Sequence, residues 1–312
     1  MDFVKEIKKL KEQKNAFICC HNFQRPEIHG VADAVGDSFE LSRAAYYSGK
    51  DTIVACGVSF MAESIKLLCP EKKVLVPDAS AKCLSKQCTA KDIRKARKKH
   101  PNASVLLYAN CSPAAKTEAD AVCTSWSALD SAKSMNDEII FGSDKNVASF
   151  LESNSGKKII RLKDSNSCPI LDTITAGNVL KLKSKHPDAL VIGHPECAKE
   201  ILEISDIVGG TSTFIKAAKD KSPKSRKLIA CTEAGIVFVM SKHAPKKEIL
   251  AANPDAKCPE MQKNDLKKVY NALISGAPEV NIPKKILDKA HKTAIKQLLI
   301  AEEKIWKEKK ND

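Results

Sequence analysis

Several features that would point to a class of protein are missing from this chain of 312 residues. No run of 18 apolar residues is present, which argues against a membrane-spanning helix. Residues 1–15 alternate charged with single apolar residues and lack the apolar stretch of a secretory signal. We therefore expect a cytoplasmic protein with no membrane association.

Nucleotide- and nucleic-acid-binding signatures are also missing. Neither G-x-G-x-x-G nor G-K-[ST] occurs, so a nucleotide-binding fold is poorly supported. Aromatic residues make up only 5% of the chain, and no RNA-binding motif accompanies the net charge of +14. We interpret this charge as a lysine-rich solvated surface without a nucleic-acid partner, and attraction of anionic substrates is a secondary interpretation.

Twelve cysteines are present, but no pair has the C-x-x-C spacing of zinc ribbons and ferredoxins. A disulfide framework is not expected in a chain of this length without a secretory signal. Cys19, Cys20 and Cys56 lie in apolar strand-like runs, where cysteine behaves as a small hydrophobic residue. Any metal site would therefore collect its ligands from distant segments.

The chain repeats one plan three times. Residues 98–112 match residues 184–198 at a shift of 86, and residues 32–35 recur as 119–122 at a shift of 87. Each copy has an apolar strand ending in a ring, an Ala/Ser-Asp-x-Val segment, a hydroxyl predicted to open a helix, and a cysteine. The rings are His21, Tyr108 and His194; the hydroxyls are Ser38, Ser125 and Thr211; the cysteines are Cys83, Cys168 and Cys258.

Short apolar runs alternate with helical patterns in each copy, which is typical of parallel sheets covered by helices. We predict an α/β fold of three similar small parallel-sheet sandwich domains, related by pseudo-threefold symmetry, with the active site at the centre. The predicted domains are residues 1–86, 87–173 and 174–261, and residues 262–312 form a helical tail that packs on the body. The predicted strands are Ala16–Cys20, Thr52–Cys56, Val74–Val76, Val105–Tyr108, Ile139–Phe141, Ile159–Leu162, Leu190–Ile192 and Leu228–Cys231.

The repeated side chains each have a structural and a functional interpretation. Ligands of parallel α/β units lie beyond the carboxyl ends of the strands, so three facing units would direct the rings and hydroxyls at one centre. Each hydroxyl either caps a helix or forms an anion pocket with the helix N-terminus. The two histidines are either buried structural residues or site residues. The three cysteines are either buried thiols or ligands of a cubane cluster whose open iron acts as a Lewis acid.

Ordered motifs over residues 15 to 290 resemble the quinolinate synthases. They are His21-Asn22-Phe23-Gln24-Arg25-Pro26-Glu27-Ile28, Tyr108-Ala109-Asn110, Cys123-Thr124-Ser125, His194-Pro195-Glu196-Cys197, Gly209 with Thr211-Ser212, Thr232-Glu233 with Gly235, and Cys258-Pro259-Glu260-Met261. The resemblance implies three similar α/β domains around a pseudo-threefold axis. It also implies an enzyme of NAD biosynthesis that condenses iminoaspartate with dihydroxyacetone phosphate to quinolinate, with loss of phosphate and two waters.

The same resemblance implies a site. Cys83, Cys168 and Cys258 would hold a [4Fe–4S] cluster with one open iron, and L-aspartate oxidase or aspartate dehydrogenase would be the functional partner. The resemblance makes Tyr108 and Glu196 the proton-transfer residues, assisted by His21 and His194. The implied substrate-binding residues are His21, Ser38, Tyr108, Ala109, Asn110, Ser125, His194, Pro195, Glu196 and Thr211.

Three alternatives stay open, and two departures from the family pattern bear on the last of them, a loss of catalysis. The opening motif has Phe23 where the family usually has Tyr, and Cys168-Pro169-Ile170-Leu171 stands where Cys-Pro-Val-His is frequent. One alternative is another cluster-dependent dehydratase that acts on a small acid. Others are a basic nucleic-acid-binding protein with a regulatory metal site and a family member that has lost catalysis.

Overall fold

Each copy of the repeat contains one four-stranded sheet in the computed structural model, which describes residues 1–163, 166–222 and 226–311. The first sheet has β1 Ala16–His21, β2 Ala34–Gly36, β3 Thr52–Cys56 and β4 Lys73–Leu75. The second has β5 Ser104–Tyr108, β6 Ala121–Cys123, β7 Glu138–Gly142 and β8 Lys158–Arg161. The third has β9 Leu190–Gly193, β10 Ile207–Val208, β11 Lys227–Cys231 and β12 Glu248–Ala251.

All strand pairs within the sheets are parallel, and the sheets share one strand order: β2-β1-β3-β4, β6-β5-β7-β8 and β10-β9-β11-β12. The helices are α1 Phe3–Gln13, α2 Pro26–His29, α3 Ser38–Tyr47, α4 Ser59–Leu68, α5 Ala90–Lys99, α6 Pro113–Lys116, α7 Ala128–Lys133, α8 Lys145–Asn154, α9 Ala176–Lys185, α10 Lys199–Glu203, α11 Thr211–Lys219, α12 Ile236–His243, α13 Leu266–Ser275 and α14 Lys284–Asn311. The predicted α/β class with three parallel sheets is confirmed.

The eight predicted strands are all present, with ends within one residue of those predicted, but β2, β6, β10 and β12 were not predicted. Each of these four is an edge strand of two to four residues. So short a strand shows little of the two-residue alternation that would identify it.

The repeated aspartate has a structural role. The carboxylate of Asp33 accepts a hydrogen bond from the Ile18 N–H at 2.8 Å, and Asp120 and Asp206 do the same for Val105 and Val191 at 2.8 Å. In every copy this hydrogen bond connects the residue just before the edge strand (β2, β6 or β10) with the adjacent central strand (β1, β5 or β9). The Ala/Ser-Asp-x-Val segment therefore fixes the same strand pairing three times.

Successive residues of a strand point to opposite faces of its sheet. In the first sheet, the residues on both faces are buried. On β1, Ile18 and Cys20 pack with Ile7 of α1, and Cys19 packs with Ile53 on the other face. Cys56 is buried as well. Burial raises the pKa of all three of these thiols, so they stay protonated, as expected for core cysteines.

The C-terminal segment returns to the first sheet. Val269 and Leu273 of α13 pack into the core with Ile7 and Leu10 of α1, and the chain at Pro278 to Val280 hydrogen-bonds with β4. Helix α14 begins at Lys284 within the predicted helical tail, and Leu298 packs against Phe39 and Leu68. The side chains of residues 301, 302 and 304–311, and all of residue 312, lie outside the described part of the tail.

The domain limits at 86/87, 173/174 and 261/262 stay predictions.

Among the helices of the described residues, none is both long enough and apolar enough to span a bilayer.

Candidate functional site

A cavity opens beyond the carboxyl ends of the central strands and is lined by residues from all three copies of the repeat. Every predicted site residue except Pro195 lines it. They are His21, Ser38, Cys83, Tyr108, Ala109, Asn110, Ser125, Cys168, His194, Glu196, Thr211 and Cys258. Pro195 is buried but does not line the cavity.

The hydroxyls do not cap their helices. The N-cap of α3 is Asp37, whose carboxylate accepts from the N–H groups of Phe39 and Glu40 at 2.8 Å, and the N-cap of α11 is Gly210. Ser38 and Thr211 are therefore the first helical residues, and the N-cap interpretation is wrong for both.

The expectation that Ser125 opens a helix is also wrong. Ser125 lies in a turn before α7, whose N-cap is Ser127. The Ser127 hydroxyl accepts a hydrogen bond from the Thr124 N–H at 3.1 Å, which closes the turn. Ser125 still faces the cavity, but without the helix N-terminus expected from the repeat.

The two site histidines are held in the same way. The Phe23 N–H donates to Nδ1 of His21 at 3.2 Å, and the Glu196 N–H donates to Nδ1 of His194 at 3.3 Å. Burial lowers the pKa of His21 to about 3, with contributions from His29 and His194, and burial lowers that of His194 to about 4. Both rings are therefore neutral at pH 7, and because Nδ1 accepts, the proton lies on Nε2.

Tyr108 replaces the histidine in the second copy. Its hydroxyl forms a hydrogen bond with the Ser125 hydroxyl at 2.8 Å. Burial, followed by the nearby carboxylate of Glu196, raises the pKa of Tyr108 well above its ordinary value. Burial also raises the pKa of Glu196, although a hydrogen bond from Tyr108 opposes the shift. A phenol that stays protonated thus lies beside a carboxyl that takes up a proton more readily than usual.

Asn110 connects this group to the first cysteine. Its amide nitrogen lies 3.9 Å from Sγ of Cys83, and its amide oxygen accepts from the Ser143 hydroxyl at 2.7 Å. Because Ser143 fixes the oxygen side of the amide, the nitrogen side is directed towards the sulfur.

Two acidic residues of the cavity were not predicted. Burial, followed by the charge of Glu40, raises the pKa of Asp37 to about 7. Burial raises the pKa of Glu233 to about 7, while hydrogen bonds from the N–H groups of Cys258 and Gly235 oppose the shift. Glu233 stands within the quoted motif Thr232-Glu233, so its position could have been read from the sequence.

The three repeated cysteines are half-buried on loops that reach the cavity from different sheets. Burial raises the pKa of each thiol, and backbone hydrogen bonds from residues two or three positions further on lower it. Such N–H groups stabilise thiolates that bind iron–sulfur clusters. The donors are Ser85 for Cys83, Ile170 and Leu171 for Cys168, and Glu260 and Met261 for Cys258.

No group of three or more His, Cys, Asp or Glu side chains in the described ranges is close enough to hold a single metal ion. The thiols of Cys83, Cys168 and Cys258 instead stand around a shared cavity. Three thiols from separate loops around one cavity are a donor set that can serve a polynuclear group, whose protein ligands bind different metal atoms. The donor chemistry and the repeated N–H groups therefore suit an iron–sulfur cluster.

The two departures from the family pattern both line the cavity. The Phe23 ring packs edge-on against His21 with ring centroids 4.7 Å apart, and its backbone N–H holds the histidine. Leu171 is buried among the apolar residues around Cys168. Both positions thus have packing roles here.

Comparison with known proteins gives matches along nearly the whole chain. Residues 5–299 match the model of the family described as quinolinate synthetase A protein. The quinolinate synthase of Caldicellulosiruptor saccharolyticus is 41% identical, over 94% of this chain and 97% of the relative. That of Methanoregula boonei is 39% identical, over 95% and 97%, and that of Thermotoga maritima is 39% identical, over 94% and 98%.

Proposed function

Because the chain belongs to the quinolinate synthetase A family, whose members are enzymes of NAD biosynthesis, we propose that it condenses iminoaspartate with dihydroxyacetone phosphate. The products are quinolinate, one phosphate and two waters. The observation that carries the proposal is that one cysteine and one strand-end ring from each copy of the repeat line a single cavity. No copy could form this site alone.

The first task of the residues is to bind two anionic substrates. The N–H groups at the start of α11 and the hydroxyls of Ser38 and Thr211 suit carboxylate or phosphate oxygens. Asn22 holds Thr211 by donating to its hydroxyl at 2.9 Å. The Nε2–H groups of His21 and His194 donate to substrate oxygens, because both rings are neutral and both Nδ1 atoms are occupied.

Proton transfer falls to Tyr108 and Glu196. Loss of water requires a proton on the leaving oxygen and removal of one from a neighbouring atom. The Tyr108 hydroxyl keeps its proton at neutral pH and can deliver it, and the carboxyl of Glu196 beside it can accept one. Ser125 fixes the direction of the phenol through its 2.8 Å hydrogen bond.

Cys83, Cys168 and Cys258 would hold a [4Fe–4S] cluster. When bound, such a cluster supplies a Lewis-acidic iron without a protein ligand. The amide of Asn110 lies beside Cys83 and would orient substrate oxygens at that side of the cavity.

The remaining expectations belong to the same proposal. The domains are residues 1–86, 87–173 and 174–261 with the tail 262–312, and the enzyme acts in the cytoplasm. L-Aspartate oxidase or aspartate dehydrogenase supplies iminoaspartate.

Iron and acid-labile sulfide per chain, measured after anaerobic purification, test the proposal. We expect about four of each in the wild type and loss in Cys168→Ser. Cys69→Ser is the matched control, because Cys69 is buried beside α14 and does not line the cavity. Quinolinate formed from the two substrates is then measured by chromatography. A reconstituted wild type without iron and sulfide, or one that makes no quinolinate, would contradict the proposal.

A further inference from the structure

The main cavity is lined by acidic side chains, although its proposed ligands are anions. Its lining includes the carboxyl groups of Asp37, Glu196 and Glu233, and within the described residues it includes no lysine or arginine. Both proposed substrates carry several negative charges. Burying an anion beside acidic groups is costly unless a positive charge lies close by.

A buried ammonium group lies directly behind the cavity wall. Lys116, at the end of α6, is only 2% exposed, and its Nζ donates to the Ser64 hydroxyl at 3.0 Å. Burial lowers the pKa of Lys116 to about 8, whereas the charges of Glu63 and Cys111 raise it. The side chain is therefore still largely charged at pH 7.

A second, smaller cavity is lined by Lys116 and shares part of its wall with the main cavity. Its lining is mostly apolar, with hydroxyl groups from Ser38, Ser42, Ser64 and Thr124, and Ser38, Ala109 and Thr124 line both cavities. Thr124 is 4% exposed, and its hydroxyl has no hydrogen-bond partner among the described residues. The shared wall thus presents hydroxyl groups between Lys116 and the start of α3.

Helix α14 closes this cavity on the far side. Ala290, Ala294 and Gln297 complete its lining, and the Thr293 hydroxyl donates to the Lys116 carbonyl at 3.5 Å. By covering Lys116, α14 keeps water away and so reduces the screening of its charge.

Another buried lysine shows what a purely structural role looks like. Lys72 is 9% exposed, and its Nζ donates to the Ala45 carbonyl at 2.8 Å and to the Ser48 hydroxyl at 3.3 Å. These partners lie at the end of α3, and Lys72 lines neither cavity. Lys116 differs because its surroundings open towards the site.

We propose that Lys116 is a positioning residue for the substrate: its ammonium group is the counter-charge for the oxyanion group bound at Ser38, and it acts across the wall formed by Ser38 and Thr124. The inference rests on the proposed function for the identity of the ligands. The oxyanion is either a carboxylate of iminoaspartate or the phosphate of the triose, and the experiment distinguishes them.

The test uses the cluster-loaded full chain with Lys116→Met, which keeps much of the volume and removes the charge. The double variant Glu63→Gln with Lys116→Met also removes the carboxylate that would be left behind, in case the single variant folds poorly. Lys72→Met is the matched control. Binding of inorganic phosphate and of quinolinate is measured by calorimetry, and kcat and KM are measured for each substrate.

We expect both Lys116 variants to bind one probe roughly tenfold to a hundredfold more weakly, with a matching rise in one KM and kcat changed by less than about threefold. Weaker phosphate binding with a raised KM for the triose phosphate identifies the phosphate. Weaker quinolinate binding with a raised KM for iminoaspartate identifies a carboxylate. Lys72→Met should match the wild type in both.

Three results would overturn the proposal: unchanged binding of both probes in the Lys116 variants, an equal loss in Lys72→Met, or no binding of either probe to the wild type. Failure of the proposed function has a different signature. A wild type that makes no quinolinate, but binds an anion in a way that depends on Lys116, contradicts the reaction and supports the counter-charge.

Discussion

Burial shifts the pKa values of the basic and the acidic site residues in opposite directions, because it favours the neutral form of both. It lowers the pKa of His21 to about 3 and that of His194 to about 4, and it raises those of Asp37 and Glu233 to about 7. At neutral pH the two rings are uncharged, and the two carboxyl groups hold a proton more readily than a carboxyl group in water does. The cavity therefore carries less negative charge than it would with both carboxyl groups ionised, and this lowers the cost of binding an anionic substrate.

The buried His194 gives a prediction about stability and pH. Its pKa is about 4 in the folded protein against an ordinary value of 6.5. A base whose pKa is depressed by folding adds stability above its unfolded pKa, and that stability is lost as the pH falls towards the folded pKa. We expect the free energy of unfolding of the wild type, relative to His194→Gln, to fall by about 2 kcal/mol between pH 7 and pH 5.

Urea unfolding at several pH values measures this difference. Val191→Ala is the control. Val191 is buried on β9, the strand that directly precedes His194, and carries no titratable group. It should lower stability by a similar amount at every pH. A wild-type curve parallel to that of His194→Gln from pH 7 to pH 5 would show that the ring has the same pKa in the folded and the unfolded protein.

Sequence alone located the strand-end residues, because a ring at the same place in three copies is visible without coordinates. It could not find Lys116. That residue lies in a short helix of four residues, and its burial depends on α14, which is distant in the chain. The same holds for Asp37: only the backbone geometry shows that Asp37, rather than Ser38, is the N-cap of α3.

At the scale of elements, four of the six edge strands were missed for a related reason. The two-residue strand β10 is defined by its pairing with β9, not by its own apolar pattern. The central strands β1, β3, β5, β7, β9 and β11 were predicted because burial on both faces gives them continuous apolar runs.

Helix α14 offers an element-scale prediction. Leu298 is 5% exposed and packs with Phe39 and Leu68, whereas its neighbour Leu299 is 64% exposed. We expect Leu298→Ala to lower the free energy of unfolding by about 2–4 kcal/mol, because it removes buried methyl groups and leaves a cavity. Leu299→Ala should change it by less than about 0.5 kcal/mol.

Thermal and urea unfolding of the two variants provide the measurement. Equal stabilities for Leu298→Ala and Leu299→Ala would mean that α14 does not stay packed on the body in solution. In that case Lys116 would also be accessible to water.

At the scale of the whole molecule, the C-terminal segment packs against the first and second units. Helix α13 packs on α1, and the chain at Pro278 to Val280 extends the edge of the first sheet beside β4. Helix α14 then packs against α3, α4 and the second unit through Phe39, Leu68 and Trp126. The first unit therefore depends on both ends of the chain, and residues 1–86 alone would leave Ile7 and Leu10 without the partners supplied by α13.

The overall charge gives the prediction at the largest scale. A net charge of +14 surrounds a cavity whose own lining is acidic, so attraction of anionic substrates must come from the outer surface and from Lys116. Attraction through solvent weakens as salt shortens the screening length. We expect kcat/KM for dihydroxyacetone phosphate to fall roughly threefold to tenfold between about 0.05 and 0.5 M KCl, with kcat nearly constant.

A charge-reversed variant separates this long-range effect from competition by chloride inside the cavity. Lys8→Glu with Lys9→Glu lowers the net charge from +14 to +10 at exposed positions of α1. If the outer surface attracts the substrate, this variant should start with a lower kcat/KM at low salt and lose less of it as salt is added. If the variant and the wild type instead lose kcat/KM in parallel, chloride competes within the site and the surface lysines serve only to keep the protein solvated.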